Sequence, residues 1–324
     1  MGSISEPILK LETIDLALLE ASDPSERQRL VQACKNQGFL YLNLASNPQL
    51  VEDWGTVLNF MVEYFAKGTE EKMQDARGSD TYGYEPVATS TGAVEGLPDY
   101  YESLKASHDG LRWDHTKLAP TVAQHYDLFR RFTDSANKAL QAILRELDLA
   151  LGRSPSHSFQ SFHSVEQPSL STLAMFRYPM QDSVDVGVGH NKHTDLGTLT
   201  FLLCQSPGLQ VLSNKPAGWQ YVAPKAQCAI INVGDTLRFL SGNLLRSAVH
   251  RVMPVDKLQR DHRYSIAYFL RAENGTEFTD SIGRSVSAKA WHDEKFDVFR
   301  ESHADQAKRA ILTGGMEQNE VLLY

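Results

Sequence analysis

Residues 190–204 read HNKHTDLGTLTFLLC: a histidine and an aspartate two apart, then an apolar, β-rich run. From residue 168 onward the chain is made of such pieces. Short runs at 171–178, 197–204, 208–213, 219–222, 228–233, 236–240, 248–253 and 263–270 alternate with turn signals. About eight short strands at this spacing predict a sandwich or barrel of the jelly-roll type.

The flanks are helical. Asp23 and Pro24 supply an N-cap and a first-turn proline, Leu30, Val31 and Cys34 an apolar stripe, and Gly38 a stop. Residues 39–42 form a short buried strand, and 47–67 a helix rich in Trp54, Leu58, Phe60, Met61 and Phe65. Residues 76–112 have no clear period and read mostly as loop. A long helix runs from 120 to 151, with Leu128, Phe132, Ala136, Ala139, Ile143 and Leu147 recurring at three and four residues. Helix returns around 288–308. No repeat or linker divides the chain. The expectation is one compact α+β unit: a helical region over 1–152, a core over 168–275 and a helical segment over 276–324.

With 324 residues, 42% of them hydrophobic, the chain can bury a large core without staples. The net charge is -8 and Lys and Arg are spread thinly, which argues against a nucleic-acid footprint or a polybasic membrane patch. Cys34, Cys204 and Cys228 form no CxxC pair, so three buried, reduced thiols are expected. The start, MGSISEPILKLETIDL, lacks a basic segment followed by an apolar run, and no stretch is long enough to span a bilayer. These features predict a cytoplasmic protein with no nucleic acid, no membrane and no obligate protein partner.

A His-x-Asp pair plus a distant histidine is the donor set of a facial metal triad. Three such pairs occur: His125/Asp127, His193/Asp195 and His303/Asp305. The first lies in the long helix, where residues two apart diverge by roughly 200°. The last has no histidine after it. His193 and Asp195 lie before a strand, where residues two apart share a face, and His250 follows several β runs later. In RYSIAYFL, alternation puts Arg263, Ser265, Ala267 and Phe269 on one face. A guanidinium and a hydroxyl in an otherwise apolar pocket make a carboxylate clamp. Arg77 and Ser79 have the same spacing but sit in a loop.

The runs HTDLGTLTFLL, PGLQV, NVGD, SGNLLRSAVHRV and RYSIAYFL, with Trp219 between, resemble the catalytic core of the isopenicillin N synthase-like Fe(II)/2-oxoglutarate dioxygenases. The N-terminal IDLALL and LVQACKNQGFLYL, and then GYEPV and DYYESLK, are similar to the rest of that family's chain, so the likeness spans residues 12 to 272. It implies a distorted jelly roll (double-stranded β-helix) flanked by N- and C-terminal helices. It also implies iron at one open end, 2-oxoglutarate and O2 as co-substrates, and ascorbate as an optional reductant.

By the same resemblance His193, Asp195 and His250 ligate the iron, Arg263 and Ser265 hold the distal carboxylate of 2-oxoglutarate, and Tyr178 adds its hydroxyl. Phe176 stands where the family has an asparagine that touches the carboxylate beside the keto group, and Lys192 where many relatives have proline. The missing donor is expected from Asn191, which shares a strand face with His193 and Asp195, then from His190, or from water. Phe176, Leu203, Phe239 and Phe269 are candidate apolar walls. Tyr82, Tyr84, Tyr100, Tyr101, His190 and Trp291 are candidate substrate contacts.

The implied reaction oxidises a small organic metabolite by hydroxylation, desaturation or rearrangement with ring expansion, releasing succinate and CO2. In style the chain resembles fungal secondary-metabolism enzymes. Three alternatives stand beside this: a 2-oxoglutarate-independent oxidase that binds its substrate's carboxylate at Arg263 and Ser265, a zinc hydrolase on the same ligands, and a non-catalytic jelly-roll binding protein.

Overall fold

The computed structural model describes residues 7–183, 187–213 and 218–316. In chain order the strands are β1 Thr13–Asp15, β2 Phe39–Asn43, β3 Gly83–Glu85, β4 Glu102–Ser107, β5 Thr172–Tyr178, β6 His190–His193 and β7 Leu199–Cys204. Then come β8 Leu209–Leu212, β9 Trp219–Tyr221, β10 Cys228–Val233, β11 His250–Val252, β12 Arg263–Leu270, β13 Glu277–Thr279 and β14 Ser285–Ser287. Eight of them make one sheet in the order β1-β2-β10-β7-β12-β5-β4-β3. A four-stranded sheet, β6-β11-β8-β9, faces it. Two sheets flanked by helices give the expected jelly roll. The N-terminal region is woven into it, since β2 pairs with β10 and β4 with β5.

Each face of the large sheet has its own task. On β7, Leu199, Phe201 and Leu203 point outward into the main core. There the helix Tyr126–Ala150 lays down Phe129, Phe132, Ala136, Leu140, Ile143 and Leu147. Burying each larger side chain of this set contributes about 1.5–3 kcal/mol. The other face, with Thr200 and Leu202, turns toward the small sheet. Alternation thus separates a packed outside from an inside that holds cavities. Cys34, Cys204 and Cys228 are buried and unpaired. Among the described residues no helix is long and apolar enough to cross a membrane.

Several expectations need correction. Residues 76–112 contain β3 and β4 and a short helix, His108–Arg112. All six residues of β4 (ESLKAS) are buried, because β3 and β5 flank it and Lys72 and Glu85 neutralise Glu102 and Lys105 at 2.6 Å. Buried ion pairs there replaced the apolar alternation that marks a strand. Residues 236–240 are not a strand but the helix Asp235–Leu240. Its Leu237 and Phe239 serve two different clusters, and a short apolar run does not separate helix from strand. The helix over 120–151 breaks at His125 into Pro120–Gln124 and Tyr126–Ala150. The C-terminal segment holds two helices, Ala288–Phe299 and His303–Gln306.

Candidate functional site

The small sheet brings the two histidines together. β11 pairs with β6, so His250 lies opposite His193. Asp195 sits two residues past the end of β6, off the strand, where its backbone carbonyl accepts the Asp235 N–H at 2.7 Å. Its Oδ1 lies 3.6 Å from His193 Nε2 and 3.7 Å from His250 Nε2. The three ligand atoms are all within 4.8 Å of one another, and no second trio of His, Cys, Asp or Glu comes together among the described residues.

Hydrogen bonds fix which atoms face the centre. His193 Nδ1 is 2.8 Å from the Asn191 carbonyl and His250 Nδ1 3.1 Å from that of Ala248. A carbonyl only accepts, so each Nδ1 carries the proton and each Nε2 presents its lone pair. Burial pushes the His250 imidazole down to about 4, which keeps it neutral near pH 7. Asp195 Oδ2 accepts the Asn232 amide at 2.7 Å and the Thr200 hydroxyl, leaving Oδ1 free. Burial alone would raise this carboxyl, but His250, His193 and Asn232 outweigh it and hold it well below the usual carboxylate range.

His193 and Asp195 form a wall shared by two cavities, and His250 lines the inner one. The inner one is also lined by Tyr178, Thr200, Asn232, Arg263 and Ser265. On β12, Arg263 lies opposite Tyr178 of β5, and Ser265 between Phe176 of β5 and Cys204 of β7. Arg263 is 1% exposed. Its Nε donates to the Pro207 carbonyl at 3.0 Å, its guanidinium carbon is 4.9 Å from the Tyr178 ring, and its Nη1 has no partner. Burial lifts the Tyr178 hydroxyl to about 12, so it stays protonated and able to donate. The outer cavity is lined by Tyr101, His190, Arg271, Phe296 and Phe299, and shares Phe176, Phe269, His193 and Asp195 with the inner one.

Other predicted residues fall elsewhere. Asn191 lines neither cavity. Its amide donates to Gln306 at 2.7 Å and to Thr91 at 3.2 Å. Three residue steps along β6 (190 to 193) match two along β11 (250 to 252), and a bulge of this kind exchanges the faces beyond it. His190 thereby turns into the outer cavity, stacked 4.8 Å from Tyr101 and 4.6 Å from His193. Leu202 takes the wall position expected of Leu203. Phe239 and Trp291 pack together in a cluster beneath the C-terminal helices, and Tyr84 donates to Glu102 at 2.6 Å. Tyr82 and Tyr100 line neither cavity. His125 bonds the Thr121 carbonyl and His303 that of Gly92.

Sequence reasoning missed Thr200, Asn232, Arg271, Phe296 and Phe299. It also missed Lys295, fully buried, whose Nζ donates to Asp235 at 2.6 Å and to Thr194 at 2.7 Å behind the triad. The strand parities of 200 and 232 were available signals, whereas Lys295 meets its partners only through the fold.

Comparison with known proteins agrees with this geometry. The model of the 2OG-Fe(II) oxygenase superfamily matches residues 169–272. That of the non-haem dioxygenase in morphine synthesis N-terminal matches residues 11–121. The chain is 61% identical to the oxidoreductase vrtI of Penicillium aethiopicum, over 98% of its own length and 77% of that protein's. It is 59% identical to the 2-oxoglutarate-dependent dioxygenase frbH of Dothideomycetidae sp. (strain 11243), over 95% of its own length and 96% of that protein's. In fold it is similar to the dioxygenase for auxin oxidation of rice, known from a crystal structure. The TM-score is 0.67 at 22% identity, covering 90% of this chain and 97% of that one.

Proposed function

The chain belongs to the 2OG-Fe(II) oxygenase superfamily, and from that premise we propose that His193, Asp195 and His250 hold its Fe(II) while Arg263, Ser265 and Tyr178 hold the distal carboxylate of 2-oxoglutarate. The protein is a non-haem Fe(II)- and 2-oxoglutarate-dependent oxygenase that acts on a small metabolite. One observation carries the residue assignment: the triad and the unpartnered, buried Nη1 of Arg263 share the inner cavity. Two imidazoles and one carboxylate suit Fe(II) and leave coordination positions open. An unpaired buried guanidinium costs several kcal/mol unless an anion meets it, and a dicarboxylate co-substrate is such an anion.

When bound, Fe(II) and 2-oxoglutarate would supply the oxidation: one atom of O2 ends in succinate as the keto acid loses CO2, and the other ends on the metabolite in a hydroxylation or in water in a desaturation. The chain's own residues prepare that event. The Asn191 and Ala248 carbonyls keep the imidazole Nε2 atoms aimed inward, and Thr200 and Asn232 keep Asp195 from rotating. Tyr178 and Ser265 offer hydroxyls beside Arg263. Phe176, Leu202 and Phe269 exclude water. Since Phe176 donates nothing and the Asn191 amide is engaged elsewhere, His190, stacked on His193, or an ordered water is left to offer a hydrogen bond to the carboxylate beside the keto group. The three unpaired buried cysteines support a cytoplasmic site of action. Whether the product is hydroxylated, desaturated or rearranged follows from which bond of the metabolite faces the iron.

The test is spectroscopic. Under nitrogen, the Fe(II) protein given 2-oxoglutarate is expected to develop a visible metal-to-ligand charge-transfer band. A protein that turns over its metabolite without ever forming that band would instead be the oxidase whose Arg263 binds the substrate.

A further inference from the structure

A second arginine ends the inner face of β12. Residues 263, 265, 267 and 269 alternate onto that face, and Arg271, just past the strand, continues the spacing. Arg263 lines the inner cavity and Arg271 the outer one. The two are held alike. Each lies across a glycine: a Cβ at Gly208 would meet Arg263 Nε at 2.7 Å, and one at Gly197 would meet Arg271 Cγ at 3.0 Å. Each also has a buried guanidinium nitrogen without a hydrogen-bond partner, Nη1 in Arg263 and Nε in Arg271.

Arg271 is 7% exposed. Its Nη1 donates to the Leu170 carbonyl and, at 3.2 Å, to the Thr172 hydroxyl. The Nε–Nη2 edge remains, whose two parallel N–H groups match a carboxylate. No carboxylate among the described residues pairs with it. The other basic side chains of this cavity are matched, Lys105 with Glu85 at 2.6 Å and Arg300 with Asp80. The rings of Phe269 and Phe296 lie 5.5 and 5.9 Å from the Arg271 guanidinium carbon, and Phe299 and Tyr101 complete an aromatic enclosure. Burial brings this guanidinium down only to about 10, so it is charged at neutral pH.

One co-substrate cannot serve both arginines. Eight residues of extended chain separate their Cα atoms by roughly 26 Å at 3.3 Å per residue, beyond the span of a five-carbon diacid. We infer that the metabolite is itself an organic acid with an apolar or aromatic body, its carboxylate forked on Nε and Nη2 of Arg271 and its body against Phe269, Phe296 and Phe299. This deepens the oxygenase reading above and rests on it. Arg271 is then the specificity residue that sets which carbon of the acid faces His193 and Asp195.

Calorimetry on the anaerobic protein loaded with Fe(II) and 2-oxoglutarate tests this. Benzoate, 3-phenylpropanoate, hexanoate and decanoate are each titrated against the corresponding primary amide. At least one acid is expected to bind tenfold or more tightly than its amide. In Arg271→Gln that preference is expected to fall below twofold, with amide affinity unchanged and the charge-transfer band with 2-oxoglutarate intact. If Arg271→Gln fails to form the band, Arg271→Lys decides, since it keeps the charge but lacks the fork; a preference reduced at least threefold is expected. No acid preferred over its amide, or a preference undiminished in the folded variant, overturns the inference. A wild-type protein that never forms the band fails the oxygenase reading instead.

Discussion

The inner and outer cavities share His193 and Asp195 but are built differently. The inner one is a product of strand registers: β10, β7, β12 and β5 are four consecutive strands of one sheet, and β6 and β11 close it from the other side. Its polar groups come from residues spaced by two on those strands. The outer cavity draws Tyr101 from before β4, His190 from a bulge, Arg271 from past the end of β12, and Phe296 and Phe299 from the last long helix. If the inner cavity holds the co-substrate as proposed, each of its polar groups is fixed by a strand register, and moving one means shifting a strand. A site made of strand ends and a helix can be altered piece by piece. On the proposed assignment, a fixed chemistry and a changeable specificity sit side by side in one molecule.

The largest effect is expected where the cavities meet. His193→Ala, Asp195→Ala and His250→Ala should each abolish succinate release while circular dichroism stays native, and His125→Ala and His303→Ala should leave iron content unchanged. Loss of iron in either of the latter, with His193→Ala retaining it, would move the metal site elsewhere. Next comes the support behind the shared wall. Asn232→Ala removes one of the two hydrogen bonds to Asp195 Oδ2 and should weaken iron binding by about 10–100-fold, the range usual for such supporting hydrogen bonds. Wild-type affinity in a metal titration would mean Thr200 suffices.

A third change distinguishes the two cavities. Gly208 has a φ of 147° and its missing Cβ leaves room for Arg263. Gly208→Ala should therefore raise half-saturating 2-oxoglutarate several-fold, from backbone strain of about 1–3 kcal/mol and the displaced guanidinium. Metabolite affinity should not move; if it moves as much, the cavities are not independent.

Smaller effects separate site from scaffold. His163 and His250 are both buried and held near 4, below an ordinary value of 6.5. The unfolded chain takes up their protons first, so their contribution is complete above about pH 6.5 and is lost as pH falls toward 4. The metal-free protein should melt at a lower temperature at about pH 5 than at pH 7, and His163→Gln should shrink that difference. A flat profile between those values would contradict the burial of both imidazoles. The smallest effect is expected at Asn191, whose alanine variant should change half-saturating 2-oxoglutarate less than twofold.

Asn191 also marks where the sequence stopped being legible. Strand parity placed Phe176 with Tyr178 and Arg263 with Ser265, and β5 and β12 have that parity because neither is interrupted. The same rule applied to Asn191 failed, because β6 carries an extra residue that only its pairing with β11 reveals. Leu203 failed for a simpler reason: LTFLLC is apolar on both faces, so composition did not say which leucine looks inward. The strand β4 was hidden by charges whose partners, Lys72 and Glu85, lie in other elements. Phe296 and Phe299 are three apart on a helix, a spacing shared with any packed helix face. Only the docking of that helix makes them cavity walls.

The central claim is that one strand holds the co-substrate at Arg263 and leaves Arg271 for something else. Titrating 2-oxoglutarate into the anaerobic Fe(II) protein and following the charge-transfer band tests it in wild type, Arg263→Ala and Arg271→Gln. A band in all three, with the midpoint raised about tenfold or more in Arg263→Ala and within twofold of wild type in Arg271→Gln, is the expected result. A midpoint shifted by Arg271→Gln and untouched by Arg263→Ala would exchange the two cavities and contradict the assignment.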